Sequence, residues 1–356
     1  MPGAPARWVM TGKGEPFVRT LIDSLSPGPD EVVVEVAGCG VCRTDLGFYY
    51  DGTPTRHPLP LALGHEISGH VIEAGANALW WIDRAVVVPA LIPCGHCDVC
   101  HSGRPEICPN QKMPGNDIHG GFASHIIVPA HGLCEVDEVR LAATGIALAD
   151  LAVIADAATT SYQAVIETGV APGDLVVVMG VGGVGGYAAQ IAATFGGTVV
   201  GIDINADKLA NIASRCALTL NARELSADDL KTAITTFAES RGLRQSEWVI
   251  LECSGTRSGR EAAYHLINKR AQIAVIGCSM DRVEVKHPNL MTFHARAFET
   301  PGLAPELYPQ ALEFVLNGRV RVTEFIEKHP LGEINDVFAA AHAGILKRRA
   351  VLVPPA

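Results

Sequence analysis

The stretch LVVVMGVGGVGGYAAQIAATFGGTVVGID, residues 175–203, decides the fold of the chain. It begins with a continuous apolar run, continues through glycines into a run of small residues, and ends in a second apolar run. Gly180, Gly182 and Gly185 form the pattern G-x-G-x-x-G, which binds a pyrophosphate when it follows a strand and opens a helix. The stretch therefore predicts a strand–helix–strand unit that binds a dinucleotide.

Each residue of this loop has a separate task. Gly180 permits the tight turn, Gly182 lets the backbone approach the phosphates, and Gly185 lets the helix pack closely on the strand. Gly183 and Val184 lie between them, where free N–H groups at the helix start attract phosphate. The alternative interpretation is a glycine-rich turn with a purely structural role.

A carboxylate at the end of the second strand indicates which dinucleotide binds. Asp203 lies 18 residues after Gly185. It can accept hydrogen bonds from both ribose hydroxyls and repels a 2′-phosphate, so NAD is expected rather than NADP. Lys208 follows closely and is a further cofactor-binding candidate. In the alternative interpretation, Asp203 only caps the loop.

The segment PCGHCDVCHSGRPEIC, residues 93–108, carries four cysteines with the spacing C-x2-C-x2-C-x7-C: Cys94, Cys97, Cys100 and Cys108. Four thiolates in one short lobe, about 93–109, are typical of a tetrahedral structural Zn²⁺ site. The metal replaces the core that so short a segment cannot build. Redox or disulfide cysteines are the alternative, which the metal-like spacing disfavours.

Composition excludes several classes of function. A length of 356 residues suits two domains better than one core. The formal charge of −10 argues against a nucleic-acid partner, although it does not exclude a local basic pocket. No apolar run is long enough to span a bilayer, and no signal peptide is evident, so a cytoplasmic protein is expected. Five further cysteines are expected in the core: Cys39, Cys134, Cys216, Cys253 and Cys278.

The sequence changes in character near residue 157, which predicts an α/β protein of two domains. Residues 1–156 are rich in glycine, proline and short Val/Ile runs, which indicates an antiparallel, barrel-like module. Residues 157–297 alternate buried strands with helices, as in a doubly wound parallel sheet. Residues 298–356 are expected to return to the first domain and complete it.

A second, incomplete set of metal ligands is spread along the chain. Cys42 lies in GVCRTD, His65 in LGHE and Asp156 in ADAATTSYQA. Together they offer S, N and O ligands and leave one position open, as a catalytic zinc requires. Glu66 adjoins His65 and is either a partner of the ligands or a fourth ligand in the absence of substrate.

The chain resembles the zinc-containing medium-chain alcohol dehydrogenases over essentially its whole length. The matching motifs are GVCRTD, LGHEISG, the four-cysteine lobe, GGFASH, TTSYQA, and VMGVGGVGG followed by Asp203. The resemblance implies a GroES-like catalytic domain, a Rossmann domain, and zinc-assisted hydride transfer from an alcohol to NAD⁺. It implies that Cys42 and His65 bind zinc. It also implies that Thr44 places its hydroxyl beside the substrate oxygen and that Arg349 contacts the cofactor pyrophosphate.

Two departures from the family pattern matter. The third zinc ligand, usually cysteine, is Asp156, and an aspartate at a helix start is in other proteins often only an N-cap. The usual proton-relay histidine, five residues after the first cysteine ligand, is Gly47. The proton from Thr44 then leaves by another path, for which His57, His119, or the ribose and water are candidates.

A finer resemblance concerns the substrate. The stretch QKMPGNDIHGGFASH, residues 111–125, is similar to dehydrogenases that oxidise a cyclic hydroxyacyl-CoA in anaerobic aromatic degradation, which implies a CoA thioester substrate. Arg56, Arg104 and Arg296 are candidate contacts for the CoA phosphates. Alternatives are another secondary-alcohol or polyol dehydrogenase, a hydratase using Glu66 or His119, and a non-catalytic binding protein. A homo-oligomer, dimer or tetramer, is expected.

Overall fold

A computed structural model describes residues 4–278, 281–285, 287–300, 302 and 304–355. It divides into two compact units. The first unit draws on residues 1–159, 302–318 and 326–356, and the second on 160–301 and 319–325. Segment 319–325 thus differs from the expectation, since it packs with the second unit rather than with the returning tail. The helices of the described residues are all too short or too polar to cross a bilayer.

The strands of the described residues, in chain order, are β1 Ala6–Val9, β2 Val18–Leu21, β3 Glu31–Gly40, β4 Glu66–Ala74, β5 Ala85–Val88, β6 His125–Pro129, β7 Cys134–Glu135, β8 Leu175–Met179, β9 Thr198–Asp203, β10 Leu218–Asn221, β11 Val249–Glu252, β12 Gln272–Val275, β13 Arg296–Glu299, β14 Ile326–Pro330 and β15 Arg349–Val353. The α-helices are α1 Arg43–Leu46, α2 Asp98–His101, α3 Glu138–Thr144, α4 Ala157–Glu167, α5 Gly183–Thr194, α6 Ala206–Ile212, α7 Ala227–Ser240, α8 Arg257–His265, α9 His287–Phe293, α10 Tyr308–Leu316 and α11 Ile334–His342.

The first unit is built on a seven-stranded, mostly antiparallel sheet with the order β14-β15-β3-β4-β5-β7, and β6 also pairs with β3. The long strand β3 reads EVVVEVAGCG, and its valines are buried in a core with Ile67, Phe122 and Phe338. Strand β15 pairs antiparallel with the end of β3, with Leu352 opposite Cys39. The tail of the chain therefore completes the sheet that the head begins.

The second unit is a six-stranded parallel sheet with the order β10-β9-β8-β11-β12-β13. Strand β8 is buried along its whole length because helices cover both faces of such a sheet. The chain runs outward in one direction from β8 through β10 and in the other from β11 through β13, so the order reverses beside β8. This is the Rossmann order, with its ligand crevice at the carboxyl ends of the strands. The predicted α/β fold class is confirmed.

One expectation about the core is wrong. Cys39 and Cys134 are buried as predicted, and Cys216 and Cys253 are partly buried, but Cys278 is exposed. The reason is that β12 ends at Val275, so Cys278 lies beyond the carboxyl edge of the sheet instead of inside a strand.

Candidate metal and cofactor sites

Three segments of the first unit meet at the predicted catalytic metal site. Cys42 directly precedes α1, His65 and Glu66 lie at the start of β4, and Asp156 lies between a 3₁₀ turn and α4. One ligand atom from each of these four residues lies within 4.8 Å of each of the others. The sequence predicted all four residues, and the structure brings them together.

The distances in this cluster are those of groups that share one ion. Asp156 Oδ2 lies 3.6 Å from Cys42 Sγ and 3.4 Å from His65 Nε2. Thr44 borders the cluster, with its Oγ1 3.8 Å from Cys42 Sγ. Asp156 does precede the first residue of α4, as an N-cap does, but its Oδ2 faces the thiol and the imidazole.

Asp45 orients the cluster, a role that was not predicted from the sequence. This fully buried carboxylate accepts hydrogen bonds from the Cys42 N–H at 2.9 Å and the Gly64 N–H at 3.1 Å. Its Oδ1 also lies 3.3 Å from His65 Nδ1, which leaves Nε2 facing Asp156. A histidine ligand commonly has such a carboxylate behind it. The signal was present in GVCRTD, because an acid three residues after an N-cap position is the spacing of a capping box.

Glu66 forms a buried ion pair with Arg349 of β15. Burial raises the pKa of Glu66 to about 7, although the Arg349 charge lowers it. The second carboxylate oxygen, Oε2, has no hydrogen-bond partner among the described residues. A buried carboxylate oxygen without a partner is available to bind a metal, which suits the prediction that Glu66 lies beside the metal as a fourth ligand or a partner of the ligands. The family resemblance implied that Arg349 contacts the cofactor pyrophosphate, and it did not predict this ion pair.

The charges of the cluster suit a cation. Burial lowers the pKa of His65, but the Asp45 charge and hydrogen bonds to Asp156, Asp45 and Cys42 raise it well above its usual value. The surrounding acids thus favour a positive charge at the imidazole. A thiolate, an imidazole and a carboxylate are also the ligand types that Zn²⁺ takes. The residues present therefore fit a catalytic zinc.

The four-cysteine lobe has the geometry of a closed site. The sulfur atoms lie 3.5 Å apart for Cys97 and Cys100 and for Cys94 and Cys108, 3.7 Å for Cys97 and Cys108, and 4.0 Å for Cys94 and Cys100. Zn–S bonds of about 2.3 Å place tetrahedral sulfurs about 3.8 Å apart. A hydrogen bond from the His96 N–H lowers the pKa of Cys94 to about 6. This lobe fits a structural Zn²⁺.

The nucleotide loop connects β8 to α5 as predicted from the sequence. Gly180 has φ +84°, and a β-carbon there would lie 2.7 Å from Ser254 Cα. A β-carbon on Gly185 would collide with the Gly180 carbonyl oxygen. Gly182 is the N-cap residue of α5, so Gly183 and Val184 present the first N–H groups of the helix. Both tight glycine positions therefore exclude side chains, and the helix start is open to phosphate.

Asp203 holds the nucleotide loop to the end of β9. Its Oδ2 accepts a hydrogen bond from the Val181 N–H at 3.0 Å, and Oδ1 accepts one from the Asn205 N–H at 2.9 Å. Each oxygen keeps a lone pair for a ribose hydroxyl. Lys208 on α6 reaches the loop as well, since its Nζ lies 3.5 Å from the β-carbon position of Gly182.

Comparisons with known proteins agree with this geometry. The family model for the alcohol dehydrogenase GroES-like domain matches residues 28–138, and that for zinc-binding dehydrogenases matches residues 183–317. Sorbitol dehydrogenase of Halalkalibacterium halodurans is 30% identical over 258 residues, which cover 71% of this chain and 70% of that protein. The chain belongs to the zinc-containing medium-chain alcohol dehydrogenase family. This membership confirms the predicted enzyme class, with zinc and a nicotinamide dinucleotide as cofactors.

Other members of the family extend the match along the chain. An alcohol dehydrogenase of Geobacillus stearothermophilus is 27% identical over 333 residues, covering 90% of this chain and 91% of that protein. The crystal structure of the alcohol dehydrogenase of Aeropyrum pernix superimposes with a TM-score of 0.85 at 25% identity, over 98% of this chain and 100% of that chain. The dehydrogenase fold thus spans nearly the whole sequence.

The structure places the two candidate relay histidines of this dehydrogenase side by side. The rings of His57 and His119 have centroids 5.0 Å apart, and His119 Nδ1 accepts a hydrogen bond from the Ala62 N–H at 3.2 Å. Burial, together with the charges of Arg7 and His57, lowers the pKa of His119 to about 4. His119 is therefore a weak proton acceptor near pH 7, which disfavours the acid–base role predicted for it.

The three candidate CoA contacts lie on separate segments of the dehydrogenase. Arg56 pairs with Asp117 at 3.3 Å, and Arg104 precedes a 3₁₀ turn in the cysteine lobe. Both lie in the first unit, whereas Arg296 begins β13 in the second. A CoA site built from all three stays a prediction.

The two metal sites of the dehydrogenase are expected to differ in exchange. The lobe offers four thiolates, whereas the Cys42 site offers mixed ligands, and its fourth position is expected to exchange among Glu66, solvent and substrate. Mild chelation at neutral pH should remove one Zn²⁺ per chain and the activity, while the second ion and the melting temperature persist. Metal content by mass spectrometry and a thermal scan measure this. Carefully prepared enzyme holding fewer than two Zn²⁺ contradicts the assignment.

Proposed function

We propose that this dehydrogenase oxidises a cyclic secondary alcohol carried on coenzyme A, with NAD⁺ as the hydride acceptor. The specific substrate proposed is 6-hydroxycyclohex-1-ene-1-carbonyl-CoA, which becomes 6-oxocyclohex-1-ene-1-carbonyl-CoA in anaerobic benzoyl-CoA degradation. The sequence QKMPGNDIHGGFASH and the aspartate at the third ligand position support this choice, because both resemble that subfamily.

The observation that carries the redox chemistry is the cluster of Cys42, His65 and Asp156 with Thr44 beside it. When bound there, Zn²⁺ supplies a Lewis acid that lowers the pKa of an alcohol. Cys42 and Asp156 bring two negative charges, which balance the charge of the ion. The oxidation releases one hydride and one proton, and the Thr44 hydroxyl at the cluster can relay the proton by accepting it while donating its own to the next acceptor.

Gly47 stands where the family usually has a proton-relay histidine, so the groups around it bear on the path of this proton. A β-carbon on Gly47 would lie 3.7 Å from Thr53 Oγ1 and 3.9 Å from Asp51 Oδ2. The space that a relay histidine occupies in other family members is thus bordered by a hydroxyl and by an exposed carboxylate. The route of the proton from Thr44 stays a prediction, with Thr53 and Asp51 as the polar groups that border this space.

A polyol is the second candidate substrate. The sorbitol dehydrogenase relative favours it, since that protein is 30% identical over 258 residues. A polyol and a cyclic acyl-CoA differ greatly in size and charge, so one enzyme is not expected to use both well.

A panel of alcohols with NAD⁺ tests the proposal. The cyclic hydroxyacyl-CoA is expected to give the highest kcat/KM, followed by a truncated thioester that loses turnover as well as affinity, because remote binding energy orients the ring. The measurement is NADH absorbance. Matched controls are the free hydroxy acid, simple cyclohexenols and sorbitol.

The same panel separates the alternatives. A far higher kcat/KM for sorbitol or ethanol than for the CoA ester contradicts the proposed CoA substrate and supports only membership of the dehydrogenase family. Conversion of a conjugated CoA thioester without NADH formation indicates a hydratase instead.

A further inference from the structure

The amino ends of the parallel strands in the second unit line a cavity of about 350 Å³ that is open to solvent. Dinucleotides bind at the opposite, carboxyl ends of such strands, so this cavity is separate from the nucleotide loop. Charged and polar side chains dominate its lining: Asp174, Arg244, Glu247, Arg270, His294 and Arg296. A polar cavity of this size is large enough for a small metabolite.

The backbone around the cavity repeats one conformation. Five parallel strands are each preceded, two residues before their start, by a residue with positive φ. Before β8 and β9 this residue is a glycine, as the left-handed region favours: Gly173 with φ +92° and Gly196 with φ +88°. Before β11, β12 and β13 it is Glu247 with φ +62°, Arg270 with φ +61° and His294 with φ +52°.

Three bulky, polar residues therefore occupy positions where glycine would avoid strain. They are three of the four non-glycine residues with positive φ in the described part of the chain, and the fourth, Asp83, lies in the first unit. All three line the same cavity. Strain of this kind concentrates at ligand sites, where the side chain is needed more than the relaxed backbone.

Hydrogen bonds hold the three strained turns in a row. The Glu247 N–H donates to the Lys269 carbonyl at 2.7 Å, and the Arg270 N–H donates to the Phe293 carbonyl at 2.7 Å. Glu247 and Arg270 are thus each tied to the residue that precedes the next strained residue. This ladder fixes the spacing of the Glu247, Arg270 and His294 side chains across the cavity wall.

The charges of the cavity leave an excess of cations. Arg244 pairs with both Asp174 and Glu247, and Arg270 Nε lies 2.9 Å from Glu247 Oε1. Arg296 and His294 take part in no ion pair among the residues that the structure describes. Three arginines against two carboxylates leave one positive charge, to which the His294 imidazole adds a donor. This excess occurs in a chain of formal charge −10.

We propose that this cavity is a second anion site, which binds a small phosphate-bearing molecule independently of the cofactor. A guanidinium group can donate two parallel hydrogen bonds to phosphate oxygens. Arg296 at the start of β13 and Arg270 just before the neighbouring strand β12 offer two such groups. Ion pairs with Glu247 and Asp174 hold the Arg244 and Arg270 side chains in place and so fix the positions of their guanidinium groups.

Inorganic pyrophosphate tests the site in the holoenzyme. Saturating NADH occupies the cofactor's own phosphate contacts, and ionic strength is kept constant with chloride. Calorimetry is expected to show saturable binding, and Arg296→Gln is expected to weaken it by about tenfold or more, because a charged hydrogen-bonding partner is lost. Absence of saturable binding, or unchanged affinity in Arg296→Gln, overturns the proposal. Equal binding of citrate overturns the phosphate class.

Two glycine variants separate binding from folding. His294→Gly and the control Asp83→Gly each relax one strained residue, so both should raise the melting temperature without ligand. Only His294→Gly should lose the further rise that pyrophosphate produces, because Asp83 lies in the other unit. An equal pyrophosphate shift in both variants shows that His294 holds no anion and contradicts the site.

Discussion

Replacement of Asp156 by alanine is expected to lower kcat/KM by about 10³-fold, since removing an anionic ligand forfeits several kcal/mol of Lewis-acid stabilisation. The carboxylate that is lost lies 3.6 Å from Cys42 Sγ and 3.4 Å from His65 Nε2. The protein should still fold, because the four-cysteine lobe is unchanged. NADH absorbance and zinc content per chain are the two measurements.

Two further variants sharpen this test. Asp137 is a true N-cap, with Oδ1 accepting from the Arg140 N–H at 3.0 Å, so Asp137→Ala should cost about 1 kcal/mol of stability and leave activity intact. Asp156→Cys installs the ligand that is usual in the family and should keep zinc. If Asp156→Ala behaves like Asp137→Ala, with native zinc and turnover, Asp156 is only an N-cap.

Replacement of Asp203 is expected to shift the choice between NAD⁺ and NADP⁺ by about 100-fold, within the few kcal/mol that one charged contact supplies. Asp203→Asn removes the charge that repels a 2′-phosphate while keeping an acceptor for the loop. Asp203→Ser should relax the preference too, but with weaker NAD⁺ binding, because the bond from the Val181 N–H at 3.0 Å is lost.

Steady-state kcat/KM with each cofactor measures this discrimination. Dissociation constants from fluorescence titration show whether the loop itself has loosened. Equal use of NAD⁺ and NADP⁺ by the unaltered enzyme contradicts the role given to Asp203.

Local motifs made most of the site predictable from the sequence. The nucleotide loop and the cysteine lobe are each built from ligands close together in the chain, so spacing alone indicates their geometry. Cys42, His65 and Asp156 are far apart in the chain; their residue types predicted a shared metal, and the family resemblance supported Cys42 and His65 as ligands. The residue type of Asp156 and its position before a helix fit a metal ligand and a helix cap equally well, so the sequence alone does not distinguish them.

Contacts between distant segments of the chain could not be predicted from the sequence. The Glu66–Arg349 pair joins residues 283 positions apart, and neither residue signals the other. The left-handed conformation of Glu247, Arg270 and His294 was not predicted for a different reason. Glycine is the usual sign of a left-handed turn, and none of these three positions is a glycine. Glu247 and Arg270 are held by hydrogen bonds to distant segments, which no local pattern encodes, whereas the His294 N–H donates to the nearby Met291 carbonyl at 3.1 Å.

The pairing of β15 with β3 sets the order in which the molecule can be assembled. A ribosome adds 308 residues, 41–348, between the end of β3 and the start of β15. At about 5–20 residues per second this takes roughly 15–60 seconds, during which the second unit can fold but Glu66 lacks its arginine. The four cysteines span only 15 residues and can close on zinc as soon as they emerge. The catalytic metal site therefore matures at the end of translation, well after the structural one.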